Sequence, residues 1–405
     1  MRLAFGLLLC ATIAITVTAQ TRHRGRELGI PFPGTTGPLN AITDVPGVAV
    51  GHVTLIEGEG KLVPGKGPIR TGVTAILPRA RGNWDPVFAA TFNQNGNGDM
   101  TGINWIKESG FLEGPILLTG THSVGTVRDA AIQWQLQNKR EFIFTYPIVA
   151  ETFDFLNDAN GEHVKAVHAF QALDRAKPGP VEEGAVGGGT GMGCNGFKGG
   201  IGTSSRVLTT EQGGYTIGVL VQCNYGGELR ILGVPIRSEI TDLGICTVLP
   251  PPLSRPWTAG IPPCSTGGAA RDDGSAFEHE GRGSIIVIVA TNAPLLPHQL
   301  ERIARRVSLG LGRLGSFAGN SSGDLFLAFS TANAGAAKPD GTPALVMLPN
   351  DRIDPLFRAT IEATEEAVVN AMLAAQTMTG ADGIRVFGLP GDRVVQILRK
   401  YNRMK

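Results

Sequence analysis

Ser284 stands where a long polar stretch, residues 254–283, gives way to the apolar run Ser284-Ile-Ile-Val-Ile-Val-Ala290. Its hydroxyl can attack the carbonyl of Gly283, which a glycine leaves sterically open and free to take strained backbone angles. Hydrolysis of the ester so formed would free Ser284 as a chain terminus. The new α-amine, with a reference pKa of about 7.7–8.0, would be a general base on the same residue as the nucleophile. A Gly-Ser pair before a strand also suits an ordinary turn, so the junction alone leaves both readings open.

Three further positions could serve such a nucleophile. Ser322 and Asp324, in Gly319-Asn-Ser-Ser-Gly-Asp324 ahead of an apolar run, are two residues apart. On an extended segment they share a side, where they could orient an amine or a hydroxyl; a plain Asx or Ser turn is the alternative. Asn224 follows the apolar run Ile217 to Gln222. Its amide could donate to a developing oxyanion, or it could be a turn asparagine. Glu151 closes the run Tyr146-Pro-Ile-Val-Ala150 and could neutralise a substrate ammonium, or be a surface or cap glutamate. The glycine-rich segment 187–196 contains a formal GxGxxG at 191, 193 and 196. No apolar strand leads into it, and Lys198 does not complete a P-loop, so these glycines suit close backbone packing or the wall of a site.

The elements that must position these residues alternate. Strand-like runs cover 48–55, 72–77, 86–92, 114–119, 215–222, 284–290, 324–330 and 384–388. Helical periodicity covers Val124–Leu136, a segment opened by Pro297 with Leu300, Ile303, Ala304, Val307 and Leu311 on one face, and a segment from about Asp354 to Ala375. This is mixed α+β. The segment Thr21–Gly37 reads as an extended polar arm. Residues 254–283 are longer than the structureless loops that compact domains tolerate, so this stretch is functional or disordered.

The 405 residues are 42% hydrophobic and 18% charged, a globular composition. A net charge of +1 without a basic stripe argues against a nucleic-acid partner. Arg2, the apolar run Leu3–Val17 and Val17-Thr18-Ala19 form a secretory signal with cleavage after Ala19. That run is too short to span a bilayer stably, so the mature chain is expected in the periplasm or outside the cell, without a membrane anchor. Once Cys10 leaves with the signal, four widely spaced cysteines remain. Cys194, Cys223 and Cys246 read as small buried hydrophobes, with one bridge still open to an oxidising compartment. Metal binding is not supported: His163 and His168 are five apart, not at zinc-helix spacing.

Taken together, these stretches resemble the P1 family of aminopeptidases, the DmpA-type L-aminopeptidase/D-esterase and β-peptidyl aminopeptidase group. The resemblance rests on Ile42-Thr-Asp-Val-Pro-Gly-Val48, Asn95-Gly-Asn-Gly98, Trp105 through Pro115, Thr121-His-Ser-Val-Gly125, Val186-Gly-Gly-Gly-Thr-Gly191 and Gly196 through Thr203. It continues through Leu220-Val-Gln222 with Asn224, Gly283-Ser284, Thr291 through Gln299, and Ser321 through Asn333. It implies a four-layer αββα sandwich that cuts itself into residues 20–283 and 284–405, which stay together as one catalytic domain. It also implies Ser284 as nucleophile, Ser322 and Asp324 as its support, Asn224 as oxyanion donor, and Glu151 as holder of the substrate's free amine. Phe153 and Trp105 fall on the substrate side.

The resemblance implies no cofactor, substrates that are short peptides or amino-acid amides or esters with a free amine, and homo-oligomers of the two-piece unit, as tetramers. Phe153 departs from relatives that carry a tyrosine near this place; a phenyl ring cannot donate, so oxyanion stabilisation would lean more on Asn224. A rival on the same fold, an ornithine-acetyltransferase-like acyltransferase, uses threonine, and the serine and the export signal argue against it. A silent exported binding module would leave the chain uncut.

Overall fold

The computed structural model describes residues 23–250, 253–255, 258, 261–265, 268–269 and 283–405. The signal at 1–19 and most of the 254–283 stretch lie outside the described residues. Two sheets lie face to face. Strands β1 (Ala49–Glu57), β2 (Ile69–Leu77), β3 (Val87–Gly96), β4 (Phe111–Leu112), β5 (Ile116–Gly120) and β6 (Ile148–Thr152) come first. They are followed by β7 (Gly200–Val207), β8 (Thr216–Tyr225), β9 (Gly283–Thr291) and β10 (Ser322–Ser330). One sheet has the order β1-β2-β5-β6, the other β4-β3-β10-β9-β8-β7.

Three apolar cores separate four layers. Ile76, Leu118, Ile148 and Ala150 of the four-stranded sheet meet Leu220, Ile286, Ile288, Leu325 and Leu327 of the six-stranded one. Helices α1 (Val124–Gln137) and α2 (Ala166–Asp174) cover the outer face of the first sheet through Val127, Ala131, Trp134, Ala169 and Leu173. Helices α3 (Pro297–Arg313) and α4 (Asp354–Ala374) cover the second through Leu300, Ile303, Val307, Ala363 and Ala367. The architecture is thus the expected αββα sandwich. Strands on both sides of the Gly283–Ser284 bond share one sheet: β9 lies between β8, antiparallel, and β10, parallel.

Strand β9 is β-branched throughout Ile285–Val289 and buried on both faces, which fixes it at the sheet centre. Three strands went unread in the sequence, the two-residue β4 and the longer β6 and β7. The last carries Thr203, Ser204, Ser205 and Arg206, all buried and all bonded: Arg206 to Glu366, Ser205 to Asp44, and Ser204 to Asn40. Nor is the N-terminal arm extended from His23 onward. Ile30 and Phe32 are buried, Arg24 pairs with Glu183, and Arg26 pairs with Glu366. The cysteines also depart from expectation. Cys194 is bridged to Cys223, and Cys246 to Cys264.

Candidate active site

Four strand ends meet at one end of the six-stranded sheet. In register, Ser284 lies opposite Asn224 on one side and Gly323 on the other, and Gly323 lies opposite Gly96. Ile286, Ile288 and Ala290 face the inter-sheet core, whereas Ile285, Val287 and Val289 face the helices. By that alternation Ser284, Asn224 and Gly323 belong to the inter-sheet face, and Ser322 and Asp324 to the helix face.

Two glycines make room for the serine. Gly283 has φ +120°, and a Cβ there would lie 2.2 Å from the Asn224 carbonyl oxygen, so only glycine fits before Ser284. A Cβ on Gly323 would meet the Asn97 carbonyl at 2.2 Å and the Ser284 hydroxyl at 3.1 Å. The Ser284 side chain is buried at 6% exposure.

Ser322 donates its hydroxyl to Asp324, whose carboxylate also accepts from the Ile285 main chain. Burial pushes the Asp324 carboxyl up to about 6 against these two bonds. The pair therefore contacts the Ile285 main chain and lies on the face opposite to the Ser284 hydroxyl.

Asn224 lies within β8, not beyond it. Its Oδ1 accepts the Gly193 N–H at 3.0 Å, and its Nδ2 donates to the Phe153 carbonyl at 3.0 Å. The second Nδ2 hydrogen has no partner among the described residues and belongs to the face that carries Ser284. The glycine-rich segment supplies this clamp. Gly193–Cys194 pairs with Phe197–Lys198 in a hairpin whose turn, Asn195-Gly196, has φ of 48° and 79°, the left-handed pair that an Asn-Gly turn supplies. Upstream, Cβ atoms on Gly188, Gly189 or Gly191 would lie within 2.6 Å of neighbouring atoms, as expected of glycines that let backbone pack closely.

Glu151, at the end of β6, is 3% exposed. It accepts the Asp99 N–H at 3.0 Å through Oε1 and the Thr121 hydroxyl through Oε2. Burial raises its pKa, opposed by these bonds and by nearby His122. A Cβ on Gly98 would be 3.2 Å from Glu151 Oε1 and 3.5 Å from the Gly323 Cα. That glycine is the thin wall between the carboxylate and Gly323, the register partner of Ser284. Trp105 is not among this cluster. It lines a cleft of about 640 Å³ that begins at Asp99, with Asn104 and Tyr146 on its walls, and its indole N–H is held by Glu113 at 3.0 Å. Phe153 contributes its carbonyl to Asn224, and it packs against the small apolar cluster of Phe155, Leu156, Ile261, Ile384 and Val386.

Sequence reasoning missed Thr121 and Asp99 and gave Gly193 no role beyond packing or the wall of a site. Thr121 bonds Glu151 through its hydroxyl, whereas Asp99 and Gly193 act through main-chain N–H groups, which residue type does not reveal.

Residues 40–386, which include Glu151, Asn224, Ser284, Ser322 and Asp324, match peptidase family S58. The chain belongs to this family. It is 46% identical over 406 residues to a β-peptidyl aminopeptidase, BapA, of Sphingosinicella microcystinivorans, covering 99% of this chain and 98% of that one. Among solved structures it is similar to a Burkholderia sp. β-aminopeptidase (TM-score 0.78, 44% identity, 93% of this chain and 99% of that one). It is also similar to the L-aminopeptidase D-Ala-esterase/amidase of Ochrobactrum anthropi (TM-score 0.80, 40% identity, 94% and 99%), described as a prototype for the serine aminopeptidases and a variant of the Ntn hydrolase fold.

Proposed function

We propose that this S58 peptidase is an exported serine aminopeptidase, activated by cleavage of its own Gly283–Ser284 bond, that releases N-terminal residues from short peptides, amides or esters. The observation that carries the reading is the register itself: Asn224, Ser284 and Gly323 abreast on one face, with Asp324 bonded to the main chain behind them.

In the first step Ser284 Oγ bonds to the Gly283 carbonyl carbon and the amide nitrogen leaves it, giving an ester. Water then cleaves the ester, yielding a Gly283 carboxylate and a free Ser284 α-amine. In turnover that amine takes the hydroxyl proton as Oγ attacks the substrate carbonyl, and it returns the proton to the leaving amine. The unpartnered Asn224 hydrogen stabilises the oxyanion, and Ser322 and Asp324 hold the α-amine. Water hydrolyses the acyl-enzyme.

Glu151 supports aminopeptidase specificity, because a buried carboxylate one glycine away from the nucleophile's neighbour suits a substrate ammonium. The β-peptidyl activity named for the 46%-identical relative makes β-amino-acid amides the substrates to try first. No cofactor takes part in these steps. Two disulfides among the mature cysteines support an oxidising destination, periplasmic or secreted. The exposed run Leu345-Val-Met347 is apolar surface that assembly of the two-piece units into a homo-tetramer would bury.

The test is hydrolysis of alanine and β-alanine p-nitroanilides against their N-acetylated forms. Turnover of the free-amine substrates alone supports the reading. Equal rates with and without the acetyl group contradict the role of Glu151, and no turnover of either contradicts the function.

A further inference from the structure

Lys198 has no part in the chemistry above, yet its side chain is entirely buried. Its ammonium group donates to the Met192 carbonyl at 2.7 Å and to the Gly199 carbonyl at 2.8 Å. Among the described residues no carboxylate pairs with it; burial lowers its pKa to about 7. A methionine would fill similar volume without desolvating an amine, so packing does not account for this group.

The bond to Met192 has a direct continuation. The Met192 carbonyl and the Gly193 N–H are the two ends of one planar peptide unit. At the far end, that N–H donates to Asn224 Oδ1 at 3.0 Å, and Asn224 Nδ2 donates to Phe153. A hydrogen-bond donor on the carbonyl, most strongly when charged, draws electron density along the peptide and strengthens the N–H as a donor. The strengthened bond to Oδ1 in turn makes the Nδ2 hydrogens better donors. The hairpin keeps the chain in line, because Gly193 and Lys198 are register partners in it.

We propose that Lys198 is a positioning residue for the oxyanion donor: through the Met192–Gly193 peptide it both fixes and polarises the Asn224 side-chain amide. The inference rests on the assignment of Asn224 in the proposed function. It requires an effect on the transition state, where the oxyanion exists, and little effect on substrate binding.

The test is a double-mutant cycle of Lys198→Met and Asn224→Ala, with kcat and KM measured on alanine p-nitroanilide and normalised to the cleaved fraction, alongside thermal unfolding. Lys198→Met is expected to lower kcat about tenfold, to leave KM unchanged, and to leave the melting temperature equal or higher. In the Asn224→Ala background it is expected to cause no further loss. A wild-type kcat, or the same fold-loss in both backgrounds, overturns the inference. If Lys198→Met does not accumulate as folded protein, Lys198→Arg is compared with Lys198→Gln; the arginine variant is expected to be the faster, and equal rates overturn the inference. A wild-type enzyme that turns over no amide would instead sink the aminopeptidase reading, and this inference with it, so the two failures are distinct.

Discussion

Asp324 and Glu151 are dressed alike. Each is a buried carboxylate that accepts one side-chain hydroxyl, from Ser322 or Thr121, and one main-chain N–H, from Ile285 or Asp99. Burial raises the pKa of both. They differ in what lies before them. Asp324 sits on the helix face of the six-stranded sheet, against the backbone where the new terminus would form. Glu151 ends the four-stranded sheet, one glycine from Gly323 and next to the Asp99 end of the cleft. The same ligand set can therefore prepare one carboxylate to hold the enzyme's own amine and the other to hold the substrate's. In the proposed function, geometry around the carboxylate, not its dressing, separates the two tasks.

Mutants can break that comparison. The largest effect is expected from Asp324→Ala: slower self-cleavage, and a kcat/KM lower by about 10²–10⁴-fold in whatever fraction is cleaved. A fully cleaved, fully active variant would remove Asp324 from the chemistry. Glu151→Gln is expected to cleave itself normally yet lose about 10²-fold in kcat/KM toward free-amine substrates, through KM. If it failed to cleave, the two carboxylates would not be divided by task. Thr121→Val leaves Glu151 with one bond fewer and is expected to raise KM by about three- to tenfold, read in the same assay.

The smallest effect concerns stability. The folded-state pKa of Asp324, about 6, lies above the ordinary 3.8. Between those values the folded protein holds more protons than the unfolded chain, so this carboxylate costs stability as pH rises through the window. Asp324→Asn should therefore be more stable than wild type at pH 7, by about 3 kcal/mol, and should lose that advantage near pH 3.5. Denaturant titrations at the two pH values check the sign.

Much of the frame was legible in the sequence because periodicity reports burial. The helix opened by Pro297 and the one from Asp354 lie where their apolar spacing places them, and β9 begins at the glycine-serine junction. What escaped had physical reasons. Strand β7 buries Ser204, Ser205 and Arg206 against Asn40, Asp44 and Glu366, so its interior looks polar until its distant partners are known. Cysteine pairing depends on which strands become neighbours: Cys194 and Cys223 meet because the glycine hairpin lies on β8. Around Ser284, residue types pointed to Asn224, Ser322, Asp324 and Glu151, but the clamp on Asn224 is made of a Gly193 N–H and a Phe153 carbonyl. Main-chain groups are the same at every position, and only the fold selects them. Placing Asp324 on the opposite face from the Ser284 hydroxyl likewise required the register.

The central claim is that Ser284 becomes a chain terminus. Denaturing electrophoresis of purified protein with N-terminal sequencing tests it most directly. The account predicts two fragments, one beginning Ser-Ile-Ile-Val, and a single uncut chain for Ser284→Ala. A wild-type protein that hydrolyses amino-acid amides as one uncut chain would contradict it.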